Sequence, residues 1–512
     1  MSPAESLVEP NDEFNRQLVA NVHPTEWTNP TPAGRYNLVV IGAGTAGLVT
    51  AAIAAGLGAR VALIERHLMG GDCLNVGCVP SKGIVRAARA WATASRGDEF
   101  GIPPVRVTTG NFGKVMERMR RLRAQLSRVD SAQRFKDLGV DVFIGHGRFT
   151  NPETIQVEDS TLRFSRAAIC TGARAAAPPI PGLNDVGYLT NETVFSLTTL
   201  PTRLAIIGGG PIGCELAQAF ARFGSQVTLL EQLDDILPRE DPDAADIVRK
   251  RMERDGVTFA LGIKVNAVQH RDHQKVIHYT SHDGSELELT VDDILVGAGR
   301  APNIDVLGLE KAGVKFDSTG VTVDPSLRTS NRRIYAAGDV CFPFKFTHTA
   351  DAMAQIVIQN ALFPHPFGLG KADTRSLIIP WCTFTEPEVA HVGMYETDAT
   401  AKGIKVETFT LPLTEVDRAI LDGESEGFIR VHVREGTDTI VGATIVAGHA
   451  GSLISEITVA MQAGKGLSLI GNTIHPYPTQ SEAIRKVANL LRKKRFSSQQ
   501  KSLLGHWFQW TR

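Results

Sequence analysis

Residues 37–66 read NLVVIGAGTAGLVTAAIAAGLGARVALIER, and the order of residue types in this stretch sets the fold class. A short β-branched run leads into Gly42-x-Gly44-x-x-Gly47, an alanine-rich helix follows, and a second strand, RVALIE, closes on Glu65. The glycines let the backbone turn tightly and approach a pyrophosphate. The helix start offers unpaired N–H groups and the positive end of its dipole, and the acid ending the second strand is placed to accept ribose hydroxyls. The uncharged stretch Leu38–Ala59 is 22 residues long, enough to span a bilayer. Its glycines divide it instead into a strand, a loop and a small-residue helix.

The pattern recurs at 203–232, RLAIIGGGPIGCELAQAFARFGSQVTLLEQ, with Gly208-x-Gly210-x-x-Gly213 and a closing Glu231. Glu65 lies 18 residues after Gly47, and Glu231 lies 18 residues after Gly213. Two copies in one register imply two bound dinucleotides. An acid at the ribose end favours the free 2′-hydroxyl of NADH over the 2′-phosphate of NADPH, so the second copy favours NADH.

The whole chain is consistent with this. Its 512 residues imply about three or four domains at roughly 100 to 200 residues each. Fifty-four basic and 55 acidic side chains leave a net charge of −1, which gives no basis for a nucleic-acid partner. The first residues show neither a basic nor an apolar secretory region, so a reducing, cytoplasmic setting is expected.

Residues 70–82, GGDCLNVGCVPSK, place two of the six cysteines five positions apart. In a regular helix such positions lie roughly 8 to 9 Å apart, and a disulfide needs Cα atoms within about 7 Å. A bond between Cys73 and Cys78 therefore requires a distorted turn, which Gly70, Gly71 and Gly77 permit, with Pro80 suited to the first turn of a following helix. Lys82 is one helical turn beyond Cys78, where a cation lowers a thiol pKa. Two nucleotide sites and a cysteine pair point to a two-electron relay from nicotinamide through flavin to a disulfide. Cys170, Cys214, Cys341 and Cys382 stand singly among apolar or small neighbours and read as packing residues. No cluster has metal-ligand spacing, so no metal is expected.

These motifs, together with TGAR at 171–174, GAGRAPN at 297–303, YAAGDV at 335–340, FTEPEVAHVG at 384–393 and HPYPTQSE at 475–482, resemble the flavin-dependent class I pyridine nucleotide–disulfide oxidoreductases, and within them the mercuric-reductase-like branch. The resemblance runs from about residue 36 to 490. It implies an α/β fold with two Rossmann-like dinucleotide-binding domains, for FAD and NAD(P)H, and an α+β dimerisation domain. The organisation it implies is an N-terminal arm (1–35), a first FAD segment (36–180), an NAD(P)H domain (181–299), a second FAD segment (300–376), an interface domain (377–489) and a basic aromatic tail (490–512). The arm is expected to be extended, and the tail is open to either a membrane surface or the protein's own dimer.

By the same resemblance Cys78 is the thiol beside the flavin, Cys73 the thiol that meets substrate, and Lys82 pairs with Glu215 near the flavin. Asp339 holds the flavin ribityl chain, and Gly338, Thr171, Gly172, Gly299, Arg300 and Thr349 join the two glycine motifs and their acids in binding the cofactors. A helix following FKFTHTAD is expected to point its N–H groups at the flavin. The homodimer shares its active site between subunits, with Tyr477 and Glu482 supplied across the interface. Thiol-reducing relatives carry histidine where this chain has Tyr477. A phenol titrates near 10 and an imidazole near 6.5, so Tyr477 is a poor general base, and His475 is the alternative. Tyrosine at this position is shared with mercuric reductases, but the chain's last cysteine is Cys382, so only Cys73 and Cys78 are available to soft Hg(II). The expected activity is reduction of an oxidised thiol, a small electrophile or a soft metal ion. Dihydrolipoamide dehydrogenase, a cysteine-independent NADH:quinone reductase and a non-catalytic flavoprotein are the competing readings.

Overall fold

A computed structural model describes residues 7–32, 34–101 and 111–512. The chain forms two compact units, one of residues 7–234 and 256–377, the other of 235–255 and 378–512. In the first unit the 37–66 stretch folds as its pattern predicts: strand Arg35–Ile41, helix Thr45–Gly56 and strand Val61–Glu65. The two strands run parallel, with Val40 opposite Leu63. Strand Val140–Ile144 extends the sheet beyond Val61–Glu65, and Ser160–Ile169 flanks Arg35–Ile41 on the other side. Ile334–Ala336 returns to pair with Ser160–Ile169, Ile334 lying opposite Ala167, which adds a much later segment of the chain to the sheet of the first nucleotide motif.

The second motif builds a separate parallel sheet of Val257–Ala260, Gln226–Leu230, Arg203–Ile207 and Asp293–Val296. The internal repeat holds at atomic detail. A Cβ on Gly47 would fall 1.8 Å from the Gly42 carbonyl oxygen, and one on Gly213 would fall 1.9 Å from that of Gly208. Each third glycine is therefore required by close helix-to-strand packing. Gly42 and Gly208 both have positive φ, at +99° and +113°.

The N-terminal arm differs from the extended segment expected. Residues Glu13–Val22 form a helix capped by Asp12, whose Oδ1 accepts from Asn15 N at 2.8 Å. Leu18 and Val22 are fully buried in the core that also holds Met69 and Leu74. Two arginines of helix Phe112–Leu126 fasten it: Arg120 pairs with Asp12, and Arg123 donates to Asn15 Oδ1 at 2.7 Å and to Asn75 O at 2.6 Å. Asn75 in turn donates to Met69 O and Gly71 O, so one buried guanidinium ties the arm to the cysteine-bearing turn.

The second unit is an antiparallel sheet in the order Pro380–Thr383, Glu388–Gly393, Ile440–Ala447, Phe428–Arg434, Val406–Pro412. Helices Ala450–Gln462 and Glu482–Arg495 close its apolar core. Helix Pro242–Arg254, drawn from within the expected NAD(P)H domain, belongs here: Arg430 pairs with Asp241 and Asp243, and Arg251 with Glu386. The tail forms helix Ser498–Trp510, with Trp507, Phe508 and Trp510 exposed. No helix among the described residues is long and apolar enough to cross a membrane.

Arg123→Ala removes the donors to two buried oxygens, so it is expected to cost about 2 to 4 kcal/mol and to lower the thermal midpoint by calorimetry. Leu126→Ala, at a side chain 48% exposed on the same helix, is expected to stay within about 0.5 kcal/mol of the parent.

Candidate active site

The cysteine-bearing turn rests on the first glycine loop. Gly70 N donates to Ala43 O at 2.8 Å, and a Cβ on Gly71 would fall 2.7 Å from Gly44 Cα. Cys73 sits in the one-turn helix Gly71–Asn75, Gly77 breaks the helical path with φ −133° and ψ −117°, and Cys78 opens the helix Cys78–Ser95. This is the distorted turn that the cysteine spacing requires. Pro80 lies within the first turn of that helix.

Three elements converge on Cys78. Its Sγ lies 3.4 Å from Thr347 Oγ1, on the first residue of helix Thr347–Leu362. Lys82, one turn along, places Nζ 2.8 Å from Glu215 Oε2. Glu215 is buried on helix Pro211–Arg222, which carries the second glycine motif. The two thiols divide their protons unequally. Cys78 is pulled down to about 6, first by the hydrogen bond it accepts from Cys73 and then by Thr347 and the Lys82 charge, against the opposing effects of burial and Glu215. Cys73 is pushed well above the ordinary thiol range by donating to Cys78, by burial and by the charge that forms on Cys78. The reduced pair is thus a thiolate at Cys78 and a thiol at Cys73.

Beside this turn, Arg300 bridges two carboxylates, Asp72 and Asp339, the second at 3.5 Å, and donates to Ala173 O at 3.0 Å. Burial pushes Asp339 above its ordinary range, partly offset by Arg300. The TGAR and GAGRAPN runs meet as paired strands Ala173–Ala175 and Arg300–Pro302. Thr171 Oγ1 donates to Asn303 O at 2.7 Å, Asn303 N donates to Gly172 O at 2.9 Å, and Gly299 takes φ +85°. Gly338 packs near Ala46 and Ala350. Thr349 is buried with an unpartnered hydroxyl.

The two glycine loops present matching cradles. Glu65 accepts from Ala43 N at 2.7 Å and His67 N at 2.9 Å; Glu231 accepts from Gly209 N at 2.5 Å and Leu233 N at 2.9 Å. Helices Thr45–Gly56 and Pro211–Arg222 have glycine N-caps, Gly44 and Gly210, with no side chain satisfying their first N–H groups. A Cβ on Gly210 would meet nothing within 4 Å, and one on Gly44 only Gly71 Cα at 3.7 Å. Free donors above an open face fit a pyrophosphate at each loop, as FAD and NAD(P)H require.

Tyr477, His475 and Glu482 lie in the second unit. Tyr477 is 70% exposed and donates to Asp417 Oδ2 at 2.9 Å. His475 engages both ring nitrogens, Nε2 with Glu456 Oε1 at 2.8 Å and Nδ1 with Thr473 O at 3.0 Å. It therefore turns to a different helix from Tyr477. Glu482 is buried and pairs with Arg485.

The structure adds Thr347, Asp72 and Asn303 to the residues singled out from sequence. The helix expected after FKFTHTAD begins inside that run, at Thr347. Positions 347 and 349 are about 200° apart around a helix, so the residue that faces sulfur is Thr347, and Thr349 faces the core.

Comparison with known proteins identifies the family. Residues 36–355 match the family described as pyridine nucleotide-disulphide oxidoreductase, and residues 379–488 match the dimerisation domain of the same family. The chain is 35% identical over 458 residues to a mercuric reductase of Staphylococcus aureus, covering 89% of this chain and 82% of that one. It is 32% identical over 472 residues to a dihydrolipoyl dehydrogenase of Bacillus subtilis (strain 168), covering 89% and 98%. The solved structure of the HOCl-induced flavoprotein disulfide reductase RclA from Escherichia coli superposes with a TM-score of 0.78 at 30% identity, over 89% of this chain and all of that one. The chain belongs to the class I pyridine nucleotide–disulfide oxidoreductases, enzymes that depend on FAD and take electrons from NADH or NADPH.

Proposed function

We propose that the chain is an NADH-preferring disulfide reductase in which Cys73 and Cys78 alternate between dithiol and disulfide and reduce an oxidised thiol. The observation that carries this reading is the setting of the cysteine pair: Cys73 in a one-turn helix, Cys78 opening the next helix with its Sγ 3.4 Å from Thr347 Oγ1, and the Lys82–Glu215 ion pair one turn along. The first glycine cradle, with Glu65, Asp339, Thr171 and Gly172, would hold FAD, and the second, with Glu231, would hold the nicotinamide nucleotide. When bound, the flavin supplies the acceptor for a hydride and the donor of the electron pair that opens the Cys73–Cys78 disulfide.

This chain's own residues then have distinct tasks. Cys78 holds negative charge between Thr347 and Lys82, and the Lys82–Glu215 pair keeps that cation in place. Cys73 is the nucleophile toward substrate, because a nucleophile that stayed hydrogen-bonded as the anion at Cys78 would be both shielded and less reactive. Tyr477 of a second subunit would border the substrate as a hydrogen-bond donor. The role is not that of a base, since its bond to Asp417 raises its pKa further. Dihydrolipoamide oxidation at neutral pH, which calls for a base there, is correspondingly disfavoured. Hg(II) is the second reading for the substrate, favoured by tyrosine at 477 and by the similarity to mercuric reductases. Steady-state rates against small disulfides, dihydrolipoamide, quinones and Hg(II) separate these readings. A cytoplasmic location fits a dithiol that must be re-reduced at each turnover.

Cys73→Ser and Cys78→Ser are each expected to reduce NADH-dependent disulfide reduction by at least about a hundredfold; full activity in Cys73→Ser would overturn the relay. In the reduced protein, Lys82→Met is expected to raise the Cys78 pKa by about one unit, because the thiolate loses a cation. Following alkylation of Cys78 with iodoacetamide against pH by mass spectrometry measures this. NADH is expected to exceed NADPH in kcat/KM by at least about tenfold, with the ratio narrowing in Glu231→Ala.

A further inference from the structure

We propose that the N-terminal arm is part of the FAD site: His23 and Asn29 hold the two backbone segments that set Glu65, and through them the arm slows the loss of FAD. The inference rests on the assignment of FAD to the first glycine cradle made above. Glu65 closes strand Val61–Glu65 and is placed to accept the ribose hydroxyls of the adenosine half. Three contacts fix it. Its carboxylate accepts from Ala43 N at 2.7 Å and His67 N at 2.9 Å, and its carbonyl accepts from Gly145 N at 2.8 Å. Each carboxylate oxygen keeps a further lone pair for a ribose hydroxyl. The position of this acid therefore depends on His67 on one side and on Ile144 and Gly145 on the other.

The arm is tied to both. The half-buried His23 ring donates through Nδ1 to His67 O, and beside it Met69 N donates to Val22 O at 3.1 Å. Asn29 meets Ile144 with both ends of its amide: Nδ2 donates to Ile144 O at 2.9 Å, and Oδ1 accepts from Ile144 N at 2.8 Å. Trp27 Nε1 donates to Val142 O at 3.1 Å. Strand Val140–Ile144 is the edge of its sheet, so these are groups that no neighbouring strand satisfies. Strands Arg35–Ile41, Val61–Glu65 and Val140–Ile144 run parallel. Ile144 thus stands at the same carboxyl edge as Glu65, where such sheets bind their ligands.

The internal repeat shows what the arm contributes. Glu231 is set in the same way, by Gly209 N and by Leu233 N two residues on. There the carbonyl corresponding to His67 O is Leu233 O, which accepts from Gly262 N at 2.8 Å, and the Glu231 carbonyl accepts from Ile263 N at 3.1 Å. Both donors belong to the loop that follows strand Val257–Ala260. In the first motif the equivalent loop supplies Gly145 N to the Glu65 carbonyl and then turns into strand Gly147–Asn151, and His67 O takes its donor from the arm. The NAD(P)H cradle closes on itself, whereas the FAD cradle is closed by a segment from outside it. A cofactor that stays bound through every turnover gains from the added restraint; a nucleotide that must leave after each hydride transfer does not.

The test follows flavin fluorescence as FAD leaves the full-length holoenzyme on dilution. His23→Ala and Asn29→Ala are each expected to release FAD about three- to tenfold faster than the parent. His23→Asn places an amide N–H where Nδ1 stood and is expected to stay within about twofold of the parent. Asn21→Ala removes a tie of the arm away from Glu65, Nδ2 to Ser127 Oγ at 2.9 Å, and is expected to release FAD as the parent does. The affinity of each oxidised holoenzyme for NAD+, measured by calorimetry, is expected to be unchanged. Parent-like FAD release in either alanine variant at 23 or 29 would overturn the proposal. So would equal acceleration in Asn21→Ala or a parallel loss of NAD+ affinity, the results for an arm that only stabilises the fold. A parent protein that holds no FAD would instead sink the assignment of the first cradle, whatever the arm does.

Discussion

The placing of two cysteines on either side of a broken helix organises this active site. Cys73 and Cys78 interact because the chain stops being a regular helix before Gly77 and restarts at Cys78. The pair is asymmetric because the surroundings differ. Cys78 meets a hydroxyl from Thr347 and the Lys82 charge, whereas Cys73 is raised by burial and by the charge on Cys78. Much of the first unit serves to hold that asymmetry: the glycine loop under Gly70 and Gly71, the helix beginning at Thr347, and Arg123 bonded to the backbone of Asn75.

What the sequence revealed of this, and what it did not, follows from the range of the interactions. The glycine loops and their acids are local in sequence, and each glycine has one steric reason to be there, so both motifs and their equal spacing could be read directly. The cysteine turn was legible for the same reason: five residues with glycines on either side leave few backbone paths. Lys82 and Glu215 are 133 residues apart, and their pairing was reached through family resemblance and is seen here at 2.8 Å. The contacts that escaped notice are long-range and use unremarkable residues. Thr347 meets Cys78 across 269 positions, and choosing it over Thr349 requires knowing which face of its helix is buried.

The N-terminal helix is a different kind of miss, because a local signal was present. Asp12 is a good cap, and Leu18 and Val22 are spaced by four, as one helical face requires. Prolines on both sides and the absence of a longer periodic run obscured it. Its stability comes mainly from the two arginines and the apolar core it joins, since ten residues of helix are marginal in isolation. The same distinction applies at His475. Its two partners, Glu456 and the Thr473 carbonyl, come from the fold of the second unit, and no spacing rule in HPYPTQSE reveals that both ring nitrogens are already committed.

The Lys82–Glu215 pair also answers a problem that any redox thiol faces. The site carries one negative charge at Cys78 when reduced and none when oxidised, and a lone lysine facing the thiolate would be left without a counter-charge in the disulfide state. With Glu215 buried at 2.8 Å, the lysine belongs to a neutral pair in both states. That arrangement weakens the lysine's pull on the thiolate, because Glu215 acts on Cys78 in the opposite direction. A group that changes with the redox state can stabilise the anion without that conflict, and Cys73 is such a group: its S–H exists only in the reduced pair. The hydrogen bond from Cys73 is accordingly the largest influence lowering the Cys78 pKa, ahead of Thr347 and Lys82. The acceptor sulfur thus carries its own counterweight, made and unmade with the disulfide.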